Sequence, residues 1–445
     1  VEIGDLIAGR YRIAARRAAG GMAVVYRATD TTTGATVAIK VLRGGVGKAV
    51  IERFKREDTA LGTLAHPAIV RVVDRGTTPE GESFLVEEWI DGPTLREHLR
   101  VAALTARESV AMARAIAAAL GEAHARGVIH RDIKPGNLML AGGSAAAVKV
   151  VDFGIARIAD AQRLTRTGAM VGTVNYMAPE QARGAPDVDA RADVFAVGVV
   201  LYECLAGRDP FRGATALSTR AKIIALDPRP LTETCPDLPP AVGALVARIL
   251  AKDPADRPAD GAALALALDA LGDVPPVMPP PRSDSPEPAT DANDDFRCVV
   301  MSAPASPLLG RTVDELREDV GAVSAAHGCT GAVMADGAAL ITAPTGGPIA
   351  ARAVASMRAA LELRQRWRIV PIAVAGGASD GAADRAIDRG ASAIETATIA
   401  AVFGNDHVAQ PFGVLIEPEV AALIGDGFEI EDERGVLRVV AERPT

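Results

Sequence analysis

The chain has 445 residues, of which 49% are hydrophobic, 23% charged and 3% aromatic, and its formal net charge is −8. That length exceeds what one hydrophobic core organises, so two or three domains are expected. The acidic balance argues against a nucleic-acid-binding surface, and no apolar run reaches the roughly 18 residues that a membrane helix needs. Cys204, Cys235, Cys298 and Cys329 lie far apart without the spacing of a metal site, and read as reduced thiols of a cytoplasmic protein. The opening residues Val1-Glu2-Ile3-Gly4-Asp5 lack the basic stretch and cleavage site of a signal peptide.

In chain order, the alternating, β-branched segments Tyr11–Ile13, Val24–Ala28 and Val37–Leu42 predict strands, with a turn at Thr31-Thr32-Thr33-Gly34. Val50–Leu64 carries apolar residues at helical spacing, and Phe84–Val86 predicts a further strand. Long Ala/Leu/Val segments with helical periodicity follow, Leu95–Gly127 and Ala190–Leu271. This is a small β-rich lobe followed by a larger helical one. Residues 273–295 are rich in proline and charge and predict an extended linker. A second globular pattern then begins. It reads strand (Cys298–Ser302), helix (Thr312–His327), strands Gly331–Ala335 and Ala339–Thr342 around an Asp336-Gly337 turn, helix (Ile349–Arg366) and strand (Ile369–Ala375). The order βαββαβ suggests a ferredoxin-like α+β sandwich. The predicted domains are therefore 1–272, a linker at 273–295, and 296–445.

Four motifs carry the chemistry. Residues 130–137 read His-Arg-Asp-Ile-Lys-Pro-Gly-Asn; Asp152-Phe153-Gly154 and Ala178-Pro179-Glu180 follow, and Val37-Ala38-Ile39-Lys40 lies upstream. In this order and spacing they resemble the catalytic core of a bacterial, eukaryotic-like (Hanks-type) serine/threonine protein kinase, over roughly residues 11–272. The resemblance implies a two-lobed α+β fold, ATP and Mg²⁺ as cofactors, and protein substrates with Ser or Thr acceptors.

Residue by residue, the resemblance implies that Lys40 meets the α/β-phosphates and pairs with Glu57 on the following helix. Asp132 would orient the attacking hydroxyl, Lys134 would contact the transferred phosphate, and Asn137 and Asp152 would hold magnesium. His130 and His124 read as structural, His130 packing near Phe153. The adenine pocket would be lined by Val25, Ala38 and Met139, with the hinge backbone at Glu88-Trp89-Ile90 and Glu87 at the gatekeeper position. The phosphate-cradling loop departs from the pattern, since Ala18-Ala19-Gly20-Gly21-Met22-Ala23 keeps only the middle glycine, Gly20, with Gly21 beside it. Arg131 would grip a phosphorylated Thr165 or Thr167, and Thr173 would shape the acceptor site. Glu180 would pair with Arg257, and Asp193 would anchor the catalytic-loop backbone.

The C-terminal pattern resembles a class III nucleotide cyclase homology domain, in which two aspartates hold the metals. Asp336 matches the second, but the strand Val299–Pro304 has no carboxylate, so a noncatalytic regulatory or dimerisation module is expected. A homodimer is compatible with this reading. Two alternatives remain open at this point, a pseudokinase scaffold with a degraded loop and a bifunctional kinase–cyclase.

Overall fold

The computed structural model describes residues 1–19, 23–42, 64–78, 81–153, 174–282, 297–343, 348–377, 385, 387–395, 413–433 and 436–443. Its strands are β1 (Leu6–Ile7), β2 (Tyr11–Ala19), β3 (Ala23–Asp30), β4 (Thr36–Leu42), β5 (Val72–Thr77), β6 (Ser83–Glu88), β7 (Leu138–Leu140), β8 (Val148–Val150), β9 (Arg297–Ser302), β10 (Thr330–Val333), β11 (Ala339–Thr342), β12 (Ile372–Gly377), β13 (Val414–Ile416), β14 (Phe428–Glu433) and β15 (Val436–Glu442). The helices used below are α1 (Ala106–His124), α2 (Pro179–Ala182), α3 (Arg191–Ala206), α4 (Ala216–Ala225), α5 (Pro240–Ile249), α6 (Gly261–Asp269), α7 (Val313–Ala326), α8 (Ile349–Arg366) and α9 (Pro418–Ile424). The chain divides into two compact units. One comprises Val1–Gln162, Val188–Pro210 and Arg229–Ser283; the other comprises Arg163–Asp187, Phe211–Pro228 and Asp284–Thr445.

The first unit opens with an antiparallel sheet in the order β1-β2-β3-β4-β6-β5. Strand alternation sorts β4 into two faces. Val37, Ile39 and Val41 enter a core with Tyr11, Ile13, Tyr26, Ala28, Phe84 and Val86, which leaves Ala38 and Lys40 half-buried on the other face. β2 continues to Ala19, well past the Tyr11–Ile13 read from sequence. Its Ala/Arg run has little intrinsic strand preference, and pairing with β3 through two register shifts supplies the order.

The helical part of this unit is built on α3, whose residues from Ala192 to Ala206 are all buried. An apolar helix of this kind is a core element, and no helix among the described residues is long and apolar enough to cross a membrane. α1 starts at a capping box, Thr105 accepting from Glu108 N–H while the Glu108 carboxylate accepts from Thr105 N–H at 2.8 Å. α1 and α6 meet closely at Gly121 and Gly261, where a Cβ on Gly261 would lie 2.3 Å from Gly121 N. The proline-rich stretch begins as part of this unit. Val274 is buried, Ala106 N–H donates to Val277 O at 2.7 Å, and Arg282 pairs with Glu203 at 2.6 Å. Its first ten residues are thus anchored along the helices and do not run free, because one apolar side chain and one cation among the prolines find partners there.

In the second unit the sheet order is β10-β11-β9-β12-β13-β15-β14. The pairs β10–β11, β11–β9 and β9–β12 are antiparallel, and β12–β13 is parallel. β9 is central, and Cys298 through Ser302 are all buried, as expected of a strand covered on both faces. α7 and α8 pack on each other and on this sheet.

Candidate active site

The site is assembled in the first unit from β4, the loop between α1 and β7, and the residues after β8. The loop is held by Asp193, a fully buried carboxylate in the first turn of α3. Its Oδ2 accepts from His130 N–H at 2.7 Å and its Oδ1 from Arg131 N–H at 2.6 Å. His124 adds a third bond, Nε2 to Asp193 Oδ2 at 3.0 Å. The tautomer follows from the network, because His124 Nδ1 accepts from Gly261 N–H at 3.0 Å and the proton must sit on Nε2. These bonds keep Arg131 in a left-handed conformation, φ 64°, which a non-glycine residue rarely adopts. Arg131 also donates to Val188 O at 3.2 Å.

His130 is wholly buried. Its Nδ1 accepts from Asp132 N–H at 3.2 Å, so Nε2 donates to Val151 O at 3.0 Å. The ring lies 4.6 Å from that of Phe153, tilted by 56°. His130 therefore ties the loop to the strand end that carries Asp152. Asp152 itself has φ 64°.

Around Asp132 the side chains converge. Lys134 Nζ donates to Asp132 Oδ2 at 2.6 Å, and Asn137 Nδ2 donates to the same oxygen at 2.9 Å and to Asp132 O at 2.8 Å. Asn137 is buried, with its amide nitrogen turned toward Asp132. Lys40 Nζ meets Asp152 Oδ1 at 2.7 Å. Withdrawal from water pushes the Asp152 carboxyl up, but the Lys40 ammonium and its hydrogen bond outweigh this and hold the group below its ordinary value. Lys40 and Asp152 are 112 positions apart, and the sequence assigned each to a different phosphate or metal contact without foreseeing that they touch.

Val25, Ala38, Ile90 and Met139 are each half-buried. Glu88 turns its carboxylate to Lys149 Nζ at 2.6 Å and to Arg71 N–H at 3.0 Å. Burial raises its pKa, yet those two donors bring it below the usual carboxylate value. Glu88 thus braces the strand end against β8, and its backbone N–H donates to Arg71 O at 2.9 Å. Glu87, Ile69, Val70, Val72, Leu85 and Phe153 line a small cavity behind this edge. Sequence reading missed the surroundings of Trp89. Arg17 and Arg27 lie 5.5 and 5.3 Å from its ring centroid, and its Nε1 donates to Asp91 at 2.7 Å. Only their strand positions, two residues before Ala19 and four after Ala23, could have signalled this. Glu57, Gly20, Gly21, Gly154, Thr165, Thr167 and Thr173 lie outside the described residues, as does the side chain of Ala18.

The donor set suits a magnesium nucleotide. Magnesium keeps several waters and takes one or two hard oxygen ligands besides phosphate, so Asp152 and Asn137 suffice. Among the described residues no group of three or more His, Cys, Asp or Glu side chains could hold a metal ion. Asp336, the hairpin carboxylate of the C-terminal domain, is engaged otherwise. It accepts from Arg220 Nη2 at 2.5 Å and from Ala338 N–H at 3.2 Å.

Residues 17–267 match the protein kinase domain family. The chain belongs to the protein kinase family. Its relatives place the domain among bacterial serine/threonine kinases. Serine/threonine-protein kinase PknA of Mycobacterium tuberculosis is 38% identical over 324 residues, 71% of this chain and 73% of that protein. A Corynebacterium efficiens serine/threonine-protein kinase homologue is 40% identical over 278 residues, 60% of this chain but only 42% of the relative. Serine/threonine-protein kinase pkn3 of Myxococcus xanthus is 39% identical over 280 residues, 60% of this chain and 51% of that protein. The chain thus spans about half the length of several relatives that it matches. The kinase domain is a phosphotransferase domain of serine/threonine type, with a β-sheet lobe and a helical lobe.

Proposed function

We propose that the whole chain transfers the γ-phosphate of ATP to serine and threonine hydroxyls of protein substrates, including its own Thr165 and Thr167. The observation that carries this is the convergence of Lys134 and Asn137 on one oxygen of Asp132, at 2.6 and 2.9 Å. In this reading Asp132 accepts the hydrogen bond of the acceptor hydroxyl and then its proton. Lys134 neutralises charge at the transferred phosphoryl group. Lys40 exchanges part of its contact with Asp152 for phosphate and would pair with Glu57. Asp152 and the Asn137 oxygen would hold Mg²⁺, which supplies charge neutralisation across the phosphates when bound. Val25, Ala38 and Met139 would contact the adenine, the backbone of Glu88 and Ile90 would hydrogen-bond it, and Ala18, Gly20 and Gly21 would cover the phosphates.

For the C-terminal domain we propose a noncatalytic, ferredoxin-like module with distant likeness to a cyclase homology domain. The strand order β10-β11-β9-β12 with antiparallel neighbours supports the fold. The engagement of Asp336 by Arg220 supports the absence of metal chemistry. Three buried free thiols, Cys204, Cys235 and Cys298, support a reducing, cytoplasmic setting.

The test is transfer of labelled γ-phosphate to the protein itself and to casein. Wild type should label both, and Asp132→Asn, folded by circular dichroism, should label neither. Near-normal labelling by that variant would remove Asp132 from the reaction.

A further inference from the structure

The second unit contains an unexpected juxtaposition. It joins the C-terminal domain to α2, α4 and the turn before α2, all of which fall within the region matched to the kinase family. Two cations of α4 are buried against carboxylates of the C-terminal domain. Arg220 meets Asp336 at 2.5 Å with side-chain exposures of 7% and 6%. Lys222, 1% exposed, meets Asp388 at 2.7 Å, and the other Asp388 oxygen accepts from Ala214 N–H at 2.8 Å. Arg and Lys side chains are almost never this buried unless paired, so these residues have a partner built for them.

The same domain closes the end of α2. A helix leaves its last carbonyls without intrahelical donors. Here Ala335 N–H donates to Ala182 O at 3.0 Å, and Arg317 Nη2 donates to Arg183 O at 2.8 Å. Gly184, φ 66°, permits the approach, since a Cβ there would lie 2.9 Å from the Ala335 methyl. α2 begins inside Ala178-Pro179-Glu180, where the segment carrying Thr165, Thr167 and Thr173 ends, and the Val174–Tyr176 turn packs on α4. The domain therefore grips the outgoing end of the segment that an acceptor protein has to approach.

We propose that the C-terminal domain is an intramolecular brake, seated on α2 and α4 by the Arg220–Asp336 and Lys222–Asp388 pairs and withholding that face from protein substrates. The character of the contact fits a reversible seat. Buried ion pairs specify geometry more than they stabilise, because desolvation offsets much of their attraction. Arg220 Nε is buried without an acceptor among the described residues, so its desolvation is only partly compensated. A seat of this kind holds one register firmly and gives way when a charge is lost. The inference rests on the kinase reading for its consequence but not for the contact itself.

The test uses the full chain in five forms: wild type, Arg220→Asp, Asp336→Arg, the charge-swapped pair of both, and Asp388→Lys. Asp336 also bonds within its own turn, so Asp388→Lys gives a second route to release if Asp336→Arg does not fold. Hydrogen exchange is followed in Ala216–Ala225 and Thr330–Thr342, and casein phosphorylation is measured with varied ATP. Each single reversal should speed exchange in both segments by about tenfold or more, because it leaves a buried charge uncompensated. Each should raise the casein rate by about threefold or more without moving the KM for ATP, as a shift from the seated to the released population would. The swapped pair should restore slow exchange and the low rate. Unchanged exchange in every single variant would remove the contact. Faster exchange with an equal or lower casein rate would keep the contact and remove the brake. A swap that leaves both readouts at the single-variant level would show that the pair does not set the seat.

Discussion

The catalytic loop hangs on one buried carboxylate, and replacing it tests that dependence. In Asp193→Asn the side chain keeps its volume but offers one oxygen where three donors converge. If that oxygen stays with His130 N–H and His124 Nε2, the new NH₂ faces Arg131 N–H, now at 2.6 Å from the Oδ1 position. If the amide flips, it faces the other two donors. Either way at least one charge-assisted bond, about 1.5–3 kcal/mol, is lost and one buried N–H is left unsatisfied, about 1–3 kcal/mol. These overlap, and a net loss of about 3 kcal/mol is expected; at about 2–4 °C per kcal/mol for a domain of this size, Tm should fall by about 6–12 °C. In the first case Arg131 loses the bond that holds its left-handed backbone, in the flipped case His130 N–H loses its acceptor, and in either Asp132 shifts relative to the reacting atoms. Displacements near 1 Å can cost about 10²-fold, and kcat should fall by about ten- to a hundredfold. The KM for ATP should change less than kcat, because Asp193 reaches Asp152 only indirectly, through His130 and its bond to Val151 O. Scanning fluorimetry and initial-rate kinetics on the full chain measure both. A variant that melts within about 2 °C of wild type and phosphorylates at a near-normal rate would refute the anchoring role.

Asp152→Asn should lower phosphotransfer by at least about 10²-fold with the fold retained, read by circular dichroism beside labelled-phosphate transfer. The Lys40–Asp152 pair should persist through neutral and mildly acidic pH. Because the folded carboxyl titrates below its ordinary 3.8, its contribution is present above that value and is lost as pH falls below it. The melting difference between wild type and Asp152→Asn should therefore be flat from pH 8 to about pH 5 and shrink only below about pH 4. Mass spectrometry of active protein should find phosphate on Thr165 or Thr167, and the double alanine variant should phosphorylate casein more slowly. Maleimide at neutral pH should modify Cys329, which is half-buried, ahead of Cys298, whose thiol burial pushes up to about 12.

Legibility followed the range of the interaction. Motifs set by local spacing were plain: Asp132, Lys134 and Asn137 lie within six residues and converge as their order suggests. β11 and α8 have the limits read from sequence, Ala339–Thr342 and Ile349–Arg366, because period-2 and period-3.6 patterns are local properties. β2 was cut short, since Ala and Arg carry little strand signal and only the β3 backbone orders them. The seating of residues 273–282 was invisible because a proline-rich composition reports what a segment lacks and not what a neighbouring groove accepts. The Lys40–Asp152 and Arg220–Asp336 pairs join positions more than a hundred residues apart, and a charge on a helix gives no sign of which distant carboxylate will meet it.

The engagement of Asp336 changes what the C-terminal domain can do. One carboxylate cannot both pair with a buried guanidinium and serve a divalent cation, since taking up the metal would strand Arg220 in a low-dielectric site. β9 runs Arg-Cys-Val-Val-Met-Ser with its core residues buried, so the strand itself supplies no second acid. What the structure shows is that Asp336, in the turn between β10 and β11, and Asp388 each meet a cation of α4. The energies suit switching. Moving a two-state equilibrium from 1:99 to 99:1 takes about 5.5 kcal/mol, and breaking one buried pair costs about 3–5 kcal/mol. In the proposed brake, one lost pair would therefore carry the seat past the balance point, and the loss of both would complete the release. In the proposed brake, a contact built from two such pairs fixes one register, and a single change of charge in it would be felt at α2.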